Sequence, residues 1–194
     1  MGALTMTDHF PHSWQATILN GPPMIMPTRH FVFPLAIPGE EDALARGALW
    51  LNVKPAEESN FVAQCALGFS DKNLATGLWS TPNADHLLAI AGGYAYRIPT
   101  SQPESTALLP IRPVVSVHAA PEAEALVLIG FHDAVILTAD GMWQSPKLTW
   151  EGVTEVAVDG TILRGKGWHM PSDKEFPFAL DLRTQTLTGG GFNP

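Results

Sequence analysis

The residues best suited to chemistry lie late in the chain. Trp168 and His169 stand beside Asp173 and Lys174, and Trp150 precedes them. This is the richest polar and aromatic cluster in the sequence. An exposed indole stacks on a sugar ring or a nucleobase; the plainer role for such residues is a partly buried loop aromatic. Arg97 and Arg164 recur in register between two similar stretches of the chain, as do Arg112 and Arg183. Aligned arginines could line a cleft for a carboxylate or a phosphate. They could equally pair with the surplus of acids at a rim, where each pair is worth little. The candidate ligand-binding set is therefore Trp150, Trp168, His169, Arg97 and Arg164, with no catalytic residue and no metal ligand assigned.

Other reactive side chains make weaker constellations. Asp71 and Asp133 each follow a Gly-Phe pair. Two such carboxylates could hold a cation or share a proton. An aspartate just past a strand more often accepts hydrogen bonds from the turn backbone. His9 and His12 flank Asp8, but Pro11 interrupts the segment, and a zinc site needs three or four convergent ligands. His30, His86, His118 and His132 are scattered. The sequence holds no nucleophile elbow, phosphate loop, dinucleotide fingerprint or zinc-protease helix, so no cofactor is implied. Gly189-Gly190-Gly191 reads as a flexible end, with no helix after it to bind an anion.

Composition excludes several partners. The 194 residues carry a net charge of −8, with 11 Lys and Arg that never cluster. Nucleic acid needs a basic face to displace counterions, and an anionic membrane needs the same. Charged residues make up 15% and apolar residues 45%, which suits an extensive core and not disorder. The single cysteine, Cys65, lies in an apolar run and reads as a small buried hydrophobe. Residues Met1 to Asp8 lack a basic segment and an apolar stretch, which is not the pattern of a signal peptide. No run approaches the length of a membrane span. The expected location is the cytoplasm.

The elements that must carry these residues are short strands. His30–Leu35, Ala48–Val53, Leu87–Ile90, Tyr94–Ile98, Ala125–Ile129 and Ala134–Thr138 all have strand composition. Phe176, Phe178, Leu180 and Leu182 alternate with Ala179, Asp181 and Arg183, as one half-buried strand requires. Gly92-Gly93, Asp140-Gly141 and Asp159-Gly160 supply tight turns. Pro38–Gly47 reads as a helical turn or two. Residues 1–28 are proline-rich and form an irregular arm, with one strand candidate at Gln15–Leu19. Pro110 and Pro113 put the strand near them at an edge or bend it.

The last two-thirds of the chain also repeats itself. Gly68-Phe69-Ser70-Asp71 returns as Gly130-Phe131-His132-Asp133, and Gly77-Leu78-Trp79 returns as Gly141-Met142-Trp143. The copies run over 61–115 and 123–188 within a β domain of 29–194. Trp79 and Trp143, duplicated at strand positions, read as core anchors. A strand ending in Gly-Phe-x-Asp, a turn into a Trp strand and a closing strand like Phe178–Thr184 together resemble the blades of β-propellers. The resemblance implies local blade-like sheets and no function, and the two copies fall short of the four or more blades that close a ring.

The expected architecture is all-β: two pseudo-repeated antiparallel meander sheets packed as a sandwich or a flattened barrel. The expected function is a non-catalytic binding or protein-interaction module. The alternative is a small-ligand protein, or an enzyme whose site assembles between the two repeats. The expected partner is an unidentified protein or small molecule, and a homodimer is compatible with either reading.

Overall fold

Apolar runs of strand length, cut by glycine and proline turns, give each segment one face to bury and no means of burying it alone. The computed structural model describes residues 6–34 and 43–192. Among them there is no α-helix, only strands and short 3-10 turns. The chain forms two compact units, Met1–Pro113 and Val114–Pro194.

The first unit holds β1 (Met6–Thr7), β2 (Gln15–Leu19), β3 (His30–Phe33), β4 (Ala48–Lys54), β5 (Phe61–Ala66), β6 (Gly77–Ser80), β7 (His86–Ala91), β8 (Tyr94–Pro99) and β9 (Ala107–Leu108). One sheet runs in the order β2-β4-β5-β3 and the other in the order β1-β6-β7-β8-β9. Pairing is antiparallel except for β3 on β5 and β1 on β6. Between β7 and β8, Ala91 faces Tyr94 across Gly92-Gly93, whose φ angles are +56° and +80°. Two successive positive φ values make the tight hairpin that glycine alone enters without strain.

Period-two patterning builds the core. Leu49, Leu51 and Val53 of β4 and Phe61, Ala63 and Cys65 of β5 turn to one side. They meet Leu78, Leu87, Ala89, Tyr96 and Ile98 from the other sheet. Burial pushes the Cys65 thiol far above its ordinary range, which fits an inert packing role. Trp14, only 2% exposed, joins this core from the N-terminal segment. The same segment is held by Ser80, whose buried Oγ accepts the N–H groups of His9 and Phe10 at 2.8 and 2.9 Å. Inside the core the Tyr96 hydroxyl donates to the Ala66 carbonyl at 2.8 Å, linking one sheet to the other.

The second unit holds β10 (Ser116–Ala120), β11 (Ala125–Ile129), β12 (Ala134–Leu137), β13 (Met142–Gln144), β14 (Val153–Asp159), β15 (Ile162–His169), β16 (Lys174–Asp181) and β17 (Thr186–Gly189). These form two four-stranded antiparallel meanders, β10 to β13 and β14 to β17. Every residue of β11 is buried, as its unbroken apolar run predicts. Phe178, Leu180 and Leu182 enter the shared core with Val127, Ile129, Ile136 and Leu163, whereas Phe176 stays 40% exposed.

The all-β, antiparallel class expected from the sequence is the class observed. No sheet closes into a barrel, and in each unit two sheets share a core. The strands are distributed over four sheets. The sequence correspondence runs across them. Gly68–Asp71 follows β5 and leads to β6 in a different sheet, whereas Gly130–Asp133 joins β11 to β12 within one sheet. The sheets recur on a shorter interval, with β6, β10 and β14 beginning at Gly77, Ser116 and Val153, about 38 residues apart. Of the helical segment expected over Pro38–Gly47, a 3-10 turn at Ala43–Arg46 is present and Gly47, at φ +104°, ends it. Pro38 to Asp42, and Leu35 of the first expected strand, lie outside the described residues.

The cross-sheet bond makes a quantitative expectation. Tyr96→Phe strips a buried carbonyl of a donor without changing side-chain shape, so urea unfolding should show about 1–2 kcal/mol less stability. An unchanged midpoint would mean that this bond is not what joins the sheets.

Candidate functional site

A strand with one neighbour presents backbone donors and acceptors that its own sheet does not use. Both sheets of the first unit end in such a strand, β3 in one and β9 in the other. Beside them lies a cleft of about 480 Å³ lined by His30, Phe31, Val32, Phe33, Pro34, Tyr96, Glu104, Thr106 and Leu108.

The lining itself locates the cleft. Alternate residues of a strand point to opposite faces. Phe31 and Phe33 belong to the core side, opposite Ala63 and Cys65, while His30 and Val32 point the other way. A cleft that touches all of them runs along the free edge of β3, not over one face of its sheet. The Arg29 carbonyl accepts the Val62 N–H at 3.0 Å. Parallel pairing alternates from there, so Phe31 and Phe33 turn their backbone groups to β5, and His30 and Val32 turn theirs to the free edge.

Local chemistry holds both walls. Arg29 anchors the foot of β3, donating to the Ser59 carbonyl at 2.6 Å and pairing with Glu58. On the opposite wall, Asp85 ties down the chain leaving β8. It accepts the hydroxyls of Thr100 and Ser101 at 2.7 and 2.6 Å, and the Ser101 N–H at 3.1 Å. A 3-10 turn at Pro103–Ser105 then presents Glu104, and the Thr106 hydroxyl closes the turn onto the Pro103 carbonyl at 2.7 Å. The floor is apolar. The polar rim is the exposed Glu104; the His30 ring stacks on Trp50 at 5.8 Å, and its Nε2 is buried without a hydrogen-bond partner. Such a surface favours apolar side chains, accepts backbone hydrogen bonds along β3 and offers one carboxylate to a cation.

The residues singled out from sequence lie elsewhere. Trp150, Trp168 and His169 come together in the second unit: the Trp168 carbonyl accepts the Trp150 N–H and the Thr149 hydroxyl, both at 3.1 Å. The side-chain polar groups of Trp168 and His169 serve the local turn. The Trp168 indole N–H donates to Asp173 at 3.0 Å, and His169 Nδ1 lies 2.7 Å from the Ser172 hydroxyl. The Trp150 ring meets Phe192 at 4.9 Å, and its indole nitrogen is buried without a partner. Arg164 stands four residues before Trp168 on β15, about 13 Å away along the strand. It is exposed, with its Nε 3.7 Å from an Asp159 carboxylate oxygen. Arg97 belongs to β8 in the first unit, facing Leu88 and Ala107 across the ladders.

The remaining candidates take structural roles. Asp71 accepts the Asn73 N–H at 2.9 Å as a turn residue, and Asp133 accepts the Gln144 amide at 2.8 Å. Arg112 lies over the Tyr94 ring, and Arg183 donates to the Glu122 carbonyl. His12 pairs with Asp8 at 3.2 Å, and the His9 side chain takes no part in that pair. Ser116 and His118, 2.9 Å apart on β10, form a contact that no motif announces.

No family model matches the chain, and no curated protein matches it. Solved structures resemble it weakly. A protein assigned as TolB from Agrobacterium tumefaciens is 14% identical at a TM-score of 0.32, over 62% of this chain and 47% of that one. A chain in a complex of S. cerevisiae Dbp5 with Nup159, Gle1, IP6 and ADP is 10% identical at 0.41, over 97% and 53%. The N-terminal domain of Nup159 is 12% identical at 0.37, over 96% and 53%. These are β-propeller-like proteins, and the chain spans about half the length of each. At such TM-scores the likeness carries no functional argument. No helix among the described residues is long and apolar enough to cross a membrane.

His86 gives a test of the electrostatics around Arg97. Its pKa lies below the ordinary histidine value, first through burial and then through the charge of Arg97, while Asp85 opposes both. Arg97→Gln should move the His86 titration, followed by NMR, part of the way back up. An unmoved midpoint would show that Arg97 does not reach it.

Proposed function

We propose that the protein is a non-catalytic interaction module that receives an extended, largely apolar segment of another polypeptide along the free edge of β3. The observation that carries this reading is the position of the cleft. It follows the free edge of a strand, where added main chain gains ladder hydrogen bonds from His30 and Val32 while the partly exposed Phe31 and Leu108 receive side chains. Glu104 favours a segment with a basic residue at the rim. We take the protein to act in the cytoplasm, where a lone buried thiol such as Cys65 stays reduced.

A second reading, a small apolar ligand with one polar group, is favoured by a volume within the range of small-molecule sites. The two differ in their use of the backbone. Val32→Pro removes a single outward N–H and leaves the pairing with β5 intact.

The probe is a fluorescein-labelled peptide of alternating Val and Thr with a Lys at each end, titrated by anisotropy. Saturable binding is expected at about 10–100 µM. Val32→Pro and Leu108→Glu should each weaken it about tenfold or more. Absence of saturation at about 1 mM, or binding indifferent to both substitutions, would refute strand addition at this edge.

A further inference from the structure

An asparagine followed by glycine can be attacked by its own main chain. The nitrogen of the next residue approaches the side-chain Cγ, and glycine has no Cβ to obstruct that approach. The chain holds one such pair, Asn20-Gly21; every other asparagine precedes a residue with a Cβ.

The structure leaves this pair open to react. Leu19, paired with Trp50, is the last residue of β2 in its ladder, so Asn20 and Gly21 lie just beyond the sheet. Asn20 is exposed. Among the described residues its side-chain amide has no hydrogen-bond partner, and the Gly21 N–H has no acceptor. A Cβ placed on Gly21 would meet no atom within 4 Å beyond its chain neighbours. Other asparagines are restrained. Asn52 is paired with Val62 inside β4, Asn73 gives its N–H to Asp71 at 2.9 Å, and Asn83 Oδ1 accepts the Asp85 N–H at 3.0 Å. Asn60 precedes the fully buried Phe61.

We propose that Asn20 is a self-modification site, converted through a succinimide to aspartate and isoaspartate. The Gly21 nitrogen gives its proton to hydroxide and bonds to Asn20 Cγ. The Cγ–Nδ2 bond breaks, and the side-chain amide leaves as ammonia. Water then opens the five-membered ring at either carbonyl. One opening yields aspartate; the other yields isoaspartate, in which the main chain runs through the side-chain carbon. The stretch from Asn20 to Thr28 holds no charged residue and carries the exposed Met24 and Ile25, so the reaction puts the first charge on it. It takes the net charge one unit below −8. Because the ladder of β2 ends at Leu19, neither product disturbs the sheet. The conversion marks the age of the chain without unfolding it.

Incubation of the full chain at mildly alkaline pH, followed by peptide mapping with mass spectrometry, tests this. The peptide holding Asn20 should give two products of equal mass, separable by chromatography, at a rate that rises with hydroxide. Circular dichroism should not change. Gly21→Ala has room for its Cβ and needs no left-handed φ, so it should fold normally and slow the conversion at least about tenfold. Asn20→Ala should abolish the new acidic species on ion exchange. Persistence of Asn20 under conditions that convert a free peptide of residues 18–24 would overturn the proposal. So would aspartate as the sole product, which is direct hydrolysis, or an unaltered rate in Gly21→Ala.

Discussion

The arrangement of the first unit depends on a buried hydroxyl, seconded by the Gly68 and Phe69 N–H groups on the Ala91 and Gly92 carbonyls. Two sheets packed through apolar side chains slide and rotate at little cost, because dispersion and hydrophobic burial are not directional. The Tyr96 hydroxyl on the Ala66 carbonyl is directional, and it connects the end of β5 to the middle of β8. Fixing β8 fixes β9 and the turn that carries Glu104. Fixing β5 fixes β3 by parallel pairing. The cleft is the space left between those two edges, and the fully buried Tyr96 lies along it.

The site is thus a consequence of how the sheets end. Antiparallel meanders satisfy their interior strands and leave the outermost ones half-satisfied. The chain shortens one such edge to the two residues of β9 and leaves the other as the four residues of β3. Prolines follow both edges closely, Pro34 after β3 and Pro110 after β9. Beside the cleft, open edge is confined to a short stretch, as suits recognition of a short segment.

Strands were legible because their signal is local. Gln15–Leu19 and Ala125–Ile129 are strands with the bounds their composition suggests, and the alternation from Phe178 to Leu182 is borne out in their burial. The cleft was not legible, because an edge is defined by what a strand lacks. Nothing in His30–Phe33 records that its neighbour is Phe61–Ala66, in parallel, with no strand on the other side. The arginines show the same limit: similar spacing in sequence places Arg97 and Arg164 in separate units. Trp150, Trp168 and His169 do gather, as their proximity in sequence suggests, but around a turn whose polar groups they satisfy. Trp14 escaped notice because it lies in a proline-rich stretch whose composition resembles a solvated arm.

The grip of Ser80 on His9 and Phe10 spans some seventy residues of chain. During synthesis the first segment emerges long before the strand that receives it. The first unit therefore cannot close until β6 has left the ribosome, and until then Trp14 has no core to enter. The sheets of the second unit are meanders of consecutive strands and order as they appear, because their loop closures are short. The nascent chain is most exposed to premature association early, while its N-terminal apolar residues wait for partners still being made.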